Sequence, residues 1–95
     1  MKIKASQITE WAHSNGIPCH GDLFETVVNG EKYRAEFYAT ADFGSEPYLC
    51  LAADSYIEKY VDGKWEKMIF PETEAGDDAF SELLAQITPE LENDL

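Results

Sequence analysis

The feature that most constrains this chain is the dipeptide Asn29-Gly30, set between two runs rich in β-branched and aromatic residues, Leu23 to Val28 and Glu31 to Ala39. Asn-Gly suits the type I′ turn, whose two central residues both need positive φ. A two-residue turn leaves no slack, so it fixes the register of the strands it joins. Val28 then opposes Glu31, Thr26 opposes Tyr33, Glu25 opposes Arg34 and Phe24 opposes Ala35. One face carries Phe24, Thr26, Val28, Tyr33, Ala35 and Phe37 and packs inward. The other sets Glu25 against Arg34, an opposite-charge cross-strand pair that meets water.

A second hairpin follows the same logic. Tyr56 to Val61 and Lys64 to Phe70 flank Asp62-Gly63, a register that pairs Tyr60 with Trp65, Lys59 with Glu66 and Glu58 with Lys67. Tyr48 to Ala53 reads as a further strand; an unbroken strand from 48 to 61, bent near Asp54, satisfies the same pattern. The rival for 55–61 is a short helix capped by Asp54. Residues 40–47 form a connector.

Helical spacing occurs at both ends. Ile8, Trp11 and Ala12 fall at i, i+3 and i+4, which predicts a helix over 5–15 with Ser6 as N-cap and Gly16 as its terminator. Phe80, Leu83, Leu84 and Ile87 make a stronger amphipathic stripe, with Asp77 as the expected N-cap. Thr88-Pro89-Glu90 looks like a second helix start. The expected fold class is α+β: a single domain over 1–95, its antiparallel four-stranded sheet of two hairpins flanked by an N-terminal and a C-terminal helix, α-β-β-β-β-α. Residues 88–95 form an acidic C-terminal tail, a short helix or a frayed end. Trp11, Ile8, Phe24, Phe37, Trp65, Phe80 and Leu84 are the expected core.

Charge narrows the function. Nineteen Asp and Glu face seven Lys and Arg, a formal net charge of -12 over 95 residues. Direct nucleic-acid binding is excluded, because phosphate contacts need clustered cations, and docking on anionic membranes is disfavoured for the same reason. The start, Met1-Lys2-Ile3-Lys4, has no apolar run behind it that would make a secretory signal, and the longest apolar run, Tyr48 to Ala53, is far below the ~20 residues of a membrane span. With two cysteines, Cys19 and Cys50, no disulfide framework is indicated, so a reduced, cytoplasmic protein is expected.

No motif for catalysis, cofactor or metal stands out. Cys19-His20 is a poor dyad, because neighbours in extended chain point to opposite sides. His13, Cys19, His20 and Asp22 match no tetrahedral zinc spacing. No phosphate loop, dinucleotide fingerprint, nucleophile elbow or calcium loop is present. The expectation is a non-enzyme without cofactor or metal.

The acids are uneven in placement. Residues 71–95 contain no Lys, Arg or His and hold Glu72, Glu74, Asp77, Asp78, Glu82, Glu90, Glu92 and Asp94. A helix with an apolar inner face and an anionic outer face suits a basic partner surface, above all a cleft built for nucleic acid, with Asp54 and Glu58 as nearby additions. In size, acidity and lack of catalytic motif the chain resembles the small inhibitors of phages and mobile elements, the anti-CRISPR and DNA-mimic class. That resemblance implies occlusion of a nucleic-acid site on a host effector complex. An alternative is an immunity protein, antitoxin or secretion chaperone that grips a cognate protein through Tyr48, Tyr56, Tyr60 and Trp65. A small enzyme is the third reading.

Overall fold

The structure is a computed structural model that describes residues 2–12, 18–41 and 46–94. Among the described residues the strands are β1 (Lys2–Lys4), β2 (Asp22–Val28), β3 (Glu31–Thr40), β4 (Tyr48–Leu51), β5 (Glu58–Val61), β6 (Lys64–Lys67) and β7 (Glu90–Glu92). The helix is α1 (Glu74–Ile87), and a single 3-10 turn covers Ala5–Gln7. The class is α+β, with an antiparallel sheet ordered β2-β3-β5-β6 and with β4 paired to β3.

Both expected turns form. Asn29 and Gly30 take φ of 52° and 80°, Asp62 and Gly63 take 50° and 81°, all in the left-handed region that a type I′ turn requires. The β2–β3 register is the one the sequence sets, from Val28 opposite Glu31 to Phe24 opposite Ala35. The second hairpin also keeps its expected pairs, Tyr60 with Trp65 and Glu58 with Lys67.

β3 organises the rest. It is long enough to pair with β2 along one side and with both β4 and β5 along the other. β4 meets it at 37–40 and β5 at 33–34. The expected four-stranded sheet has five strands, because the run 48–61 is not one strand bent near Asp54 but two, β4 and β5, on the same side of β3. A turn at Ala53 and Asp54 loops out the intervening residues. Their polar groups are still met: Ala52 N–H donates to Glu36 O, and Glu36 N–H donates to the Ser55 hydroxyl, both at 3.0 Å. The rival helix over 55–61 does not form, because Glu58 to Val61 are held in the sheet.

The helix expected over 5–15 does not form across residues 5–12, the part of it that the structure describes. Ile8 is buried, as the spacing demanded, and so is Ala5, but from a 3-10 turn followed by extended chain. Ala39 N–H donates to Glu10 O at 3.0 Å and Ala12 N–H to Ala39 O at 2.8 Å, so Trp11 sits as one more bridge on β3. A short helix is marginal in water, and these bonds to a preformed strand outcompete it. Asp22 holds the segment down, accepting from the Thr9 hydroxyl at 2.6 Å and the Thr9 N–H at 3.1 Å. Ser6, the expected N-cap, bonds Asp94 instead. Gly16, the expected terminator, lies outside the described residues, as do residues 42–45 of the connector.

The C-terminal tail is also not a helix. Glu90–Glu92 form β7, which runs parallel to β1 with Lys2 opposite Glu90 and Lys4 opposite Glu92. A sequence pattern cannot announce this pairing, because the partner strands lie at opposite ends of the chain.

The core lies between the sheet and α1. Phe37 and Ile57 are fully enclosed, joined by Ile8, Ala35, Ala39, Leu49 and Ile87. Phe24, Trp11, Phe80 and Leu84 pack against them half-buried, as expected. Trp65 does not join. It shares the opposite sheet face with Arg34, whose guanidinium lies 4.3 Å from its ring centroid. The period-2 alternation of β5 and β6 requires this, since Tyr60 and Trp65 fall on the face of Glu58 and Lys67.

Candidate functional site

The acidic segment is positioned by one cap. Thr73 is extended, and its hydroxyl accepts from the Gly76 N–H at 3.0 Å. The helix therefore opens at Glu74, not after Asp77 as the sequence reading had it. Thr73 is as good an N-cap as Asp77, and the earlier start brings two more carboxylates onto the helix: Glu74 and Asp77 both stand in its first turn, where the partial positive charge of the helix end favours them. Gly76 is buried against Pro71, so close that a Cβ there would lie 2.0 Å from the Pro71 carbonyl oxygen. Phe80, stacked edge-on against Phe70, and Leu83, Leu84 and Ile87 fix the inner face.

What faces water follows from the helical period. Glu74, Asp78 and Glu82 fall at i, i+4 and i+8, all exposed, and form a row with about 6 Å of rise per step. Asp77 stands exposed beside the row. Ala75, Ala79 and Ser81 between them, and Ala85 beyond, are small, so they do not shield the carboxylates. Among the described residues the ion pairs are Arg34 with Glu58, Lys59 with Glu31 and His20 with Glu36, none of which draws on α1. Among the described residues no ion pair compensates the charge of the helix.

The remaining expected site residues divide. Glu72 is exposed just ahead of the helix. Glu90 and Glu92 are exposed on β7, but their register partners are Lys2 and Lys4, so the tail is not purely anionic. Glu58 is no part of the acidic surface: its carboxylate accepts from Arg34 Nε at 2.8 Å. Asp54 is on the wrong side, lining a cleft on the sheet face that α1 does not cover.

That cleft, about 250 Å³, is lined by His20, Leu23, Glu36, Asp54, Ser55 and Tyr56 among others. It collects polar groups that sequence spacing had kept apart, because the looped-out 52–57 segment folds beside residues 18–21: Ala53 and Asp54 N–H donate to the carbonyls of Pro18 and Cys19. Its chemistry is unpromising for nucleophilic attack. The carboxylate of Asp54 pushes the Cys19 thiol pKa up, with a hydrogen bond between them and slight burial adding to the effect. An activated cysteine needs the reverse. His20 Nδ1 lies 3.7 Å from Glu36 Oε2, and its side chain is largely in water. Among the described residues no group of His, Cys, Asp and Glu is arranged to hold a metal ion. Asp22, one of the four residues weighed as zinc ligands, gives its oxygens to Thr9 and Glu10. Cys19 and Cys50 are not joined in a disulfide.

Two features escaped the sequence reading. Asp94 accepts from the Ser6 hydroxyl and from the Ser6 N–H at 2.8 Å, bonds that hold its carboxyl below the usual range, aided by Lys4 and slightly opposed by burial. The uncovered sheet face also gathers cations over rings: Lys32 over Tyr60 at 5.3 Å, Arg34 over Trp65 at 4.3 Å and Lys67 over Tyr56 at 4.6 Å. The alternation along the hairpins carried that signal.

No family model, curated protein or solved structure matches this chain. Among the described residues no helix is long and apolar enough to cross a membrane.

Proposed function

We propose that this is a non-enzymatic acidic binding protein that inhibits or modulates a partner by occupying a basic surface of the kind that holds nucleic acid. The observation that supports it is the uncompensated row Glu74, Asp78 and Glu82, with Asp77 alongside, on the outer face of a helix whose inner face is anchored in the core. A rigid row of carboxylates presents negative charge along a line, as a phosphate backbone does, and a cationic groove accepts either. The long-range field of a -12 protein raises the rate of encounter, and the row supplies the local contacts. This is the mode of the anti-CRISPR and DNA-mimic proteins that the chain resembles in size and charge.

The test is a partner captured from native host lysate on the immobilised protein at low salt. Its affinity should fall steeply with salt, and duplex DNA should compete for it. The triple variant Asp77→Asn/Asp78→Asn/Glu82→Gln should remain folded, since all three side chains are exposed, and should bind at least about tenfold more weakly. An unchanged affinity in that variant removes the helix from the account.

The alternative, a cognate protein gripped through aromatic anchors in the manner of an immunity protein or antitoxin, draws on the exposure of Tyr48, Tyr56 and Tyr60. Salt-resistant binding that depends on one of those rings would identify it.

A further inference from the structure

The sheet has two faces, and α1 covers one of them. On the other, over β2, β3, β5 and β6, stand Leu23, Val27, Tyr56 and Tyr60, four of the six large apolar side chains that the described residues expose. Val27 is 63% exposed and Leu23 54%, on one face of β2 with Glu25 between them. At the β4 end the same face is closed, with Tyr38 buried. The open part is a bounded apolar patch, and such patches mark contact surfaces more often than plain solvent-facing sheet.

Its charge is the unusual part. The strands place Lys32, Arg34 and Lys67 on this face, and Glu25, Glu36 and Glu58 beside them. Counting Asp54 from the cleft on the same face, three cations against four carboxylates give -1, in a molecule whose net charge is -12. A partner that is strongly basic would be drawn to α1, and a strongly acidic one would be repelled by the whole molecule. A contact between two copies has a different requirement. It puts the same patch on both sides of a two-fold axis, so it favours a patch whose own charges come close to balance within an apolar field. This face meets that requirement, and it is where two such anionic molecules approach with least repulsion.

We infer that this face is the interface of a homodimer, two sheets packed face to face with both α1 helices outward. The patch spans about seven residues of β2 and β3 and four each of β5 and β6, at a strand spacing of ~4.8 Å and a rise of ~3.4 Å per residue, roughly 360 Å² of flat area per copy. Two copies cover roughly 700 Å², a size that allows only weak, concentration-dependent association. The inference is independent of the proposed partner, but it has a consequence for it. The dimer displays two carboxylate rows on opposite sides and engages repeated cationic sites with avidity.

The experiment is sedimentation equilibrium of the purified protein from low to high micromolar concentration, at low and high salt. Dimerisation should strengthen with salt, because salt screens the residual repulsion of two -12 molecules. Binding of a basic partner by α1 weakens with salt, so the two ideas fail separately. Val27→Glu and Ala85→Glu change the net charge equally, both at exposed sites, one in the patch and one on α1. Val27→Glu should weaken the dimer by about tenfold or more, and Ala85→Glu by about twofold at most. A monomer at every concentration and salt overturns the inference, and so does a dimer that the two variants weaken equally.

Discussion

Removing one carboxylate from the middle of the α1 row should make this protein more stable. Asp78 sits one helical turn from both Glu74 and Glu82, so it takes part in two like-charge i,i+4 pairs. Each such pair costs about 0.2–0.5 kcal/mol on an exposed helix. Asp78→Asn keeps the size and nearly the helix propensity of the side chain, so it isolates the charge. Asp78 lies just past the first turn, where the helix dipole gives little back. The expected gain is about 0.4–1 kcal/mol, or a rise in Tm of about 2–8 °C for a domain of this size. Urea and thermal melts at low salt measure it, and the gain should shrink in 1 M salt, where the Debye length is about 3 Å. The same substitution should weaken binding to a basic partner. Stability and binding then move in opposite directions, the mark of a charge that folding does not require. A variant less stable than the parent, or a gain indifferent to salt, would refute the reasoning, since the row would not then be self-repelling.

Gly76→Ala improves intrinsic helix propensity yet should destabilise, because its Cβ would meet the Pro71 carbonyl oxygen at 2.0 Å, backbone that cannot move aside cheaply; a lowered denaturant midpoint checks this. Asp54→Asn removes the main cause of the raised Cys19 pKa, so the thiol should be alkylated faster at neutral pH; an unchanged rate would mean that the carboxylate does not govern it. Ser6→Ala should let the Asp94 carboxyl titrate higher in an NMR pH series. Because the folded pKa lies below the ordinary value of 3.8, the stabilisation from this contact is present above that pH and is lost as pH falls through the folded pKa. Ser6→Ala and the parent should therefore differ in stability at neutral pH and converge in acid.

The acidic site was legible in part. That Glu74, Asp77, Asp78 and Glu82 share a helix with an apolar stripe is a matter of spacing, and spacing is local. That Glu58 is neutralised was hidden because Arg34, its partner at 2.8 Å, reaches it only when β5 docks on β3. Asp54 and the lysines opposite Glu90 and Glu92 were hidden for the same reason. Proximity in sequence gave no warning of which sheet face, or which terminus, each would meet.

The sequence by itself determined the two hairpins and the helix. Asn29-Gly30 and Asp62-Gly63 favour the positive φ that a tight hairpin turn needs, and the stripe from Phe80 to Ile87 needs no knowledge of its partner. Only the tertiary structure decided that residues 5–12 form a 3-10 turn and extended chain and not a helix, that β4 and β5 share one side of β3, and that β1 and β7 pair. Those choices rest on backbone hydrogen bonds between residues far apart in the chain, such as Ala39 with Glu10. Backbone groups are the same in every residue, so their pairing leaves almost no trace in the order of side chains.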